Sequence, residues 1–231
     1  MQGVWKEMPV PIRVVIADDH LLIRLGIKSL LNHLGDFEIV GEAQDGVLAL
    51  ELLREFSPDI ALIDISMPRM SGIETTQIAR REYPDLKIII LSALEAEDVV
   101  REAMRAGANG YILKDCLLDE LSEALAMVGK GRRYVSPSLG LQAPADELAA
   151  ADSAAEGTLT ARQMQILRLI AEGKTTKEIG KQLGISPKTV EFHRAQLMQR
   201  LGLHDIASLT RYAATRGLLP AAVPGERVRD A

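Results

Sequence analysis

The chain has 231 residues, 47% of them hydrophobic, and 27 Lys and Arg against 32 Asp and Glu give a net charge of −5. At roughly 100 to 200 residues per domain this predicts one large or two small globular domains, and it excludes a miniprotein or a disordered tail. A single cysteine, Cys116, excludes an intrachain disulfide framework and a four-thiolate metal site, while one Trp, four Tyr and three Phe are too few for a base-stacking surface.

Residues 1–7 lack a basic region leading into an apolar stretch, and no apolar run reaches the ~18 residues of a spanning helix. A cytoplasmic protein is expected, in keeping with the lone thiol. From residue 12 onward, short runs rich in Ile, Val and Leu alternate with stretches of helical spacing. Strands are predicted at 12–17, 37–43, 60–64, 86–91 and 110–113. Helices are predicted at 21–34, 46–56, 72–83, 95–106 and 117–128, with Gly107 as the stop signal of the fourth. Right-handed crossovers between nearly continuous apolar strands predict a doubly wound parallel α/β sheet of five strands in the order 2-1-3-4-5. Its ligand crevice opens where strands 1 and 3 part, beyond their carboxyl ends.

Those ends carry Asp18 and Asp19 after strand 1 and Asp64 closing strand 3. Each alone serves equally well as a helix cap. Three together repel one another and point to a hard divalent cation, for which Mg²⁺ is the expectation. Ser92 and Lys114 follow strands 4 and 5. A carboxylate nucleophile, a cation, an ammonium and a hydroxyl at one edge make a phosphoryl site.

With these residues in place, the stretch 12–130 resembles the receiver domain of two-component response regulators. The carrying motifs are Ala17-Asp18-Asp19-His20, the run from Asp64 to Gly72 with Met67-Pro68 inside it, and Gly110-Tyr111-Ile112-Leu113-Lys114. The resemblance implies that Asp64 accepts a phosphoryl group from a histidine kinase. It also implies that Asp19, Asp64 and the Ser66 carbonyl hold Mg²⁺, with Asp18 acting through water. Ser92 is then the switch hydroxyl, Tyr111 the coupled aromatic rotor, and Lys114 the partner of the phosphoryl group. One departure is Lys114-Asp115, where many receivers have Lys-Pro.

The receiver is expected to occupy 10–130, a linker 131–157, a basic module 158–217, and a tail 218–231. The linker's later part is rich in alanine and acid, without periodic large apolar residues. Charge changes sign across it. Residues 1–157 carry 15 basic and 26 acidic side chains, a balance of −11, whereas 158–216 carry 10 and 4, a balance of +6. A basic module of this kind suits a polyanion.

Thr160 and Gln163 read as a capping box, with Leu159 stapling onto Met164 and an apolar stripe of Met164, Leu167 and Ile170 running to Gly173. Thr175 and Glu178 form a second box for a short helix that ends at Leu183-Gly184, and Ser186-Pro187 opens a third. Two helices across so tight a glycine turn read as helix-turn-helix. Val190, Leu197 and Leu201 should pack inward with His193 at their margin, leaving Lys188, Glu191, Phe192, Ala195 and Gln199 on the outer face. On double-stranded DNA Phe192 then touches a thymine methyl and Glu191 accepts from cytosine; otherwise Phe192 covers a neighbouring helix and Glu191 is merely solvated. Lys174, Lys177, Lys181, Lys188, Arg194 and Arg200 are the expected phosphate contacts. A last helix is predicted at 206–216.

Residues 159–216, above all the run from Gly184 through Thr189 to Arg194 and Leu201-Gly202, resemble the LuxR-type output domain. The whole chain is therefore similar to the NarL/FixJ family of transcription regulators. That implies base reading by Glu191, Phe192 and Ala195, promoter DNA and a histidine kinase as partners, RNA polymerase as a further one, and a homodimer upon phosphorylation. Two rivals stay open. One is a Mg²⁺-dependent phosphatase with its nucleophile at the end of strand 1, and the other is a receiver that only dimerises.

Overall fold

The run Ile12–Ala17 forms strand β1 because both of its faces are apolar: Val14 and Ile16 pack on one side of the sheet and Val15 on the other, all inaccessible to water. The computed structural model describes residues 10–141, 159 and 161–215, which fall into two compact units on either side of residues 142–158.

In the first unit, β1, β2 (Phe37–Ala43), β3 (Ile60–Asp64), β4 (Lys87–Ser92) and β5 (Gly110–Leu113) are joined by α1 (Leu21–Leu34), α2 (Gly46–Phe56), α3 (Gly72–Glu82) and α4 (Glu97–Arg105), with α5 (Leu117–Gly129) following β5. All strand pairs are parallel. Helices α1 and α5 pack together on one face, while α2 contacts α3 and α3 contacts α4 on the other. The doubly wound α/β fold is the one expected, with one correction. The sheet has six strands in the order β2-β1-β3-β4-β5-β6.

The additional strand, β6, is Tyr134–Val135, within the stretch read as linker. Two residues are too short to leave a periodic signal. β6 is held by backbone pairing to β5, by Ser136 N–H donating to the Tyr111 carbonyl at 2.9 Å, and by Leu113 N–H donating to Ser136 Oγ at 2.9 Å. Glu120 on α5 completes the clasp, accepting from the Ser136 hydroxyl, from Tyr134 OH at 3.2 Å and from Ser138 Oγ at 3.3 Å. A smaller difference is that α4 starts at Glu97 rather than at 95.

The second unit comprises α6 (Ala161–Ala171), α7 (Thr176–Leu183), α8 (Pro187–Leu201) and α9 (Ile206–Thr215). Ile166, Leu167, Leu169 and Ile170 from α6, Ile179, Val190, Leu197 and Leu209 form its core. The inward stripe of α6 is thus wider than predicted, and Met164 is only half-buried. Thr160, and with it the first capping box, lies outside the described residues. The second box is present, with Thr175 Oγ1 accepting from Glu178 N–H at 3.3 Å and Glu178 accepting from Thr175 N–H at 2.8 Å.

Two glycines make the turn between α7 and α8. Gly184 ends α7 at φ +67°, a left-handed conformation unfavourable to other residues. A β-carbon on Gly180 would lie 2.8 Å from the Ile185 carbonyl oxygen, so the turn can fold back this closely only over glycine.

Candidate functional site

The parallel sheet brings the ends of β1, β3, β4 and β5 to one edge. Asp18 and Asp64 are buried there, and Lys114 Nζ stands 2.7 Å from Asp18 Oδ2 and 2.8 Å from Asp64 Oδ2. Asp19 is more open, with its Oδ1 2.6 Å from His20 Nδ1. His20 also approaches Asp18 Oδ1 with Nδ1 at 3.1 Å and donates to it from the backbone at 2.8 Å. Burial pushes the Asp64 carboxyl above the ordinary carboxylate range; Lys114 pulls it back down, and the Asp18 charge adds to the rise.

Two buried carboxylates therefore share one ammonium, with a third carboxylate, Asp19, beside them. Ligand atoms of Asp18, Asp19, His20 and Asp64 all lie within 4.8 Å of one another. Concentrated oxygen donors with excess negative charge fit a hard divalent cation. Ser66, on the loop after β3, donates its N–H to Asp64 Oδ1 at 3.2 Å.

Ser92 closes β4, fully buried, and its Oγ accepts from Leu94 N–H at 3.0 Å. Tyr111 is equally buried and donates its hydroxyl to the Leu94 carbonyl at 2.7 Å. The hydroxyl of β4 and the ring of β5 thus meet at the same residue of the β4–α4 loop. Burial raises the Tyr111 phenol well above its ordinary value, so it stays a neutral donor.

Gly72 is what lets α3 begin beside the site. A β-carbon there would lie 2.1 Å from the Asp64 carbonyl oxygen. Gly72→Ala is expected to cost about 2 kcal/mol in urea unfolding, because the backbone carrying Asp64 must give way; an unchanged midpoint would contradict that close approach.

On the second unit, Lys188, Glu191, Ala195 and Gln199 lie exposed on α8, and Lys174, Lys177 and Lys181 are exposed on or before α7. The outer face of α8 is narrower than expected. Phe192 is buried, its ring edge-on to His193 at 5.3 Å between centroids, and Thr189 is buried with its hydroxyl 2.8 Å from that of Ser186. The inward face of α8 spans Thr189, Val190, Phe192, His193 and Leu197, a broader arc than the stripe of large aliphatic residues suggests. Arg194 and Arg200 tie the helices together: Arg194 Nη1 donates to Thr176 Oγ1 at 2.7 Å, and Arg200 Nη1 to Gln163 Oε1 at 3.1 Å.

Residues 14–126 match the response regulator receiver domain family, and residues 157–213 match the luxR family of bacterial regulatory proteins. The oxygen regulatory protein NreC of Staphylococcus aureus is 37% identical over 214 residues, covering 90% of this chain and 99% of NreC. The chain belongs to the NarL/FixJ family of response regulators. RcsB from Salmonella enterica serovar Typhimurium, solved bound to a promoter with the phosphomimetic BeF₃⁻, aligns with a TM-score of 0.56 at 28% identity, over 89% of this chain and 98% of RcsB. A LuxR-family response regulator from Aurantimonas sp. SI85-9A1 aligns with a TM-score of 0.54 at 32% identity, over 56% of this chain and 93% of its own. This response regulator thus joins a receiver to a helix-turn-helix DNA-binding domain. Among the described residues no helix is long and apolar enough to cross a membrane.

Three residues of the response regulator's site were not singled out by sequence reasoning. His20 directly follows the acidic pair, and its adjacency was the available signal. Asp45 and Arg69, 24 positions apart, meet at the β3–α3 loop, and nothing in their local sequence marks the pairing.

Proposed function

We propose that this regulator is a cytoplasmic phosphorylation switch in which Asp64 takes a phosphoryl group from a histidine kinase and thereby controls dimerisation and DNA binding. The observation that carries the reading is the buried Asp64 carboxylate sharing the Lys114 ammonium with Asp18 at the sheet's carboxyl edge. Asp64 Oδ attacks phosphorus, the phosphorus–nitrogen bond of the donor imidazole breaks, and the imidazole leaves with its electron pair. Lys114 turns from the carboxylates to the phosphoryl oxygens. Ser92 donates its hydroxyl to one of them, releasing Leu94, and Tyr111 follows the loop that Leu94 belongs to. Asp19, Asp64 and the Ser66 carbonyl, with Asp18 beside them, would hold Mg²⁺, which would offset charge on the phosphoryl oxygens.

On the DNA side, Glu191 and Ala195 face base edges, and Lys174, Lys177, Lys181, Lys188, Arg194 and Arg200 contact phosphates. Thr189 and Phe192 support the helix from beneath. The deciding experiment is DNA footprinting with and without an acetyl-phosphate-type donor across a salt series. Donor-dependent protection of two half-sites about one helical turn apart, weakening steeply with salt, is expected. Protection indifferent to donor and salt would overturn the reading.

A second copy of the chain fits the α1/α5 face of the receiver. Leu21, Leu22 and Leu25 on α1 and Leu118 on α5 are exposed, Leu22 to 80%, and the small Gly26 brings the two helices together beside Leu118. Helix α1 carries no acid, whereas α5 carries Asp119, Glu120 and Glu123, so a two-fold axis sets α1 of one copy against α5 of the other. Leu22→Glu is expected to keep the phosphorylated protein monomeric in light scattering and to weaken binding to the paired half-sites at least tenfold. A dimer of undiminished stability would rule out this face.

A further inference from the structure

Arg69 is one of two non-glycine residues with positive φ among the described residues, at +62°. A side chain there is strained unless its surroundings hold it. The residue stands at the apex of the β3–α3 loop, whose ends are pinned by Ile65 N–H on the Leu91 carbonyl at 3.2 Å and Gly72 N–H on the Ile65 carbonyl at 3.0 Å. The apex itself is held by Met70 N–H on the Pro68 carbonyl at 2.7 Å and by a side chain from the start of α2. Arg69 Nη2 donates to Asp45 Oδ2 in an ion pair, and the Asp45 side chain is only 4% exposed.

Asp45 is also the N-cap of α2, accepting from Leu48 N–H at 3.0 Å with its other oxygen. Next to it, a β-carbon on Gly46 would lie 2.1 Å from Thr75 Oγ1 and 2.8 Å from the Met70 carbonyl oxygen. The start of α2 is therefore in direct contact with the loop and with α3 beside the ion pair. Burial works against the Asp45 anion, yet the Arg69 and Leu48 bonds outweigh it and hold the carboxyl below its ordinary range. Asp45 thus stands as a buried anion whose counter-charge comes from the loop.

We propose that Asp45 and Arg69 form a latch that sets the β3–α3 loop so that the Ser66 carbonyl is presented to the divalent cation beside Asp64. Ser66 lies three residues before Arg69 on the same short loop, and its N–H is already fixed on Asp64 Oδ1. Its carbonyl direction is consequently set by the path the chain takes to the apex. Without the ion pair, the left-handed Arg69 relaxes and the Ser66–Met67 peptide turns with it. Both residues act through the carbonyl and are positioning residues. The inference rests on the function proposed above.

The test measures Mg²⁺ affinity of the full-length protein by calorimetry, with urea unfolding of each variant without Mg²⁺. Asp45→Asn keeps a good helix cap while removing the charge, and Arg69→Gln removes the guanidinium. Each is expected to weaken Mg²⁺ binding about tenfold, as loss of an orienting outer contact does. The double variant should be no weaker than either single one, because both remove the same contact. Arg69→Lys should recover part of the loss. Variants that bind Mg²⁺ as the wild type does, or losses that multiply in the double variant, would overturn the latch while leaving the switch intact. A wild-type protein that neither binds Mg²⁺ nor takes up a phosphoryl group would instead overturn the proposed function, and the latch with it.

Discussion

Replacing Asp64 by Asn is expected to reduce phosphoryl uptake, from a histidine kinase or from a small acyl phosphate, to background. The amide has no anionic oxygen to attack phosphorus. The fold should survive. Asp64 is a buried carboxyl whose ionisation burial disfavours, so a neutral isostere removes an electrostatic cost instead of adding one. The variant should therefore unfold at the wild-type urea midpoint or above it. It should also bind DNA as the unphosphorylated wild type does and show no donor-induced dimer. Label incorporation followed by peptide mapping checks the assignment. Acyl phosphate mapped to Asp18 would favour the phosphatase alternative, whose nucleophile stands at the end of β1.

Lys114→Met is expected to damage stability as well as function. Lys114 is the ammonium that lies between Asp18 and Asp64, and both carboxylates are almost inaccessible to water. Removing one partner of a buried ion cluster leaves the remaining charges uncompensated, at a cost of about 3 kcal/mol near neutral pH. The pH dependence has a definite sign. The Asp64 carboxyl is raised above its unfolded value, so its contribution to stability is fully present below the ordinary carboxylate range and is lost as pH rises through the folded value. Because Lys114 is what favours the Asp64 anion, its removal raises that carboxyl further and enlarges the loss. Urea unfolding without Mg²⁺ should show a larger deficit at about pH 7.5 than at about pH 5. Equal deficits at the two pH values would mean that Lys114 contributes by packing and not by charge.

The receiver was legible in sequence wherever a strong local pattern set the structure. Fully buried strands such as β3 and β4 are runs of Ile, Leu and Ala or Ile and Leu, and their last residues fall at the sheet edge by topology alone, which is how Asp64 and Ser92 were located. The turn of the helix-turn-helix was legible for a similar reason, since a left-handed Gly184 and the Ser186-Pro187 start are chemical requirements of the turn. What escaped depended on the partner and not on the residue. Phe192 falls outside the aliphatic stripe of α8, yet Phe192 and His193 widen the inner face by packing against each other. Arg194 and Arg200 each donate to a side chain on a neighbouring helix, partners that no local pattern marks. β6 escaped because it is defined by the unpaired edge of β5, which no stretch of two residues can announce.

That sixth strand bears on how the protein can be taken apart. A fragment ended at residue 130 strips the cover from β5 and leaves a hydrophobic, parallel border with open N–H and C=O groups, the kind of rim that recruits other chains. It also deprives Glu120 of the hydroxyls of Tyr134, Ser136 and Ser138, abandoning a half-buried acid on α5. Dissection past Leu139 retains both the border strand and its clasp, and only such a piece reports faithfully on the isolated receiver.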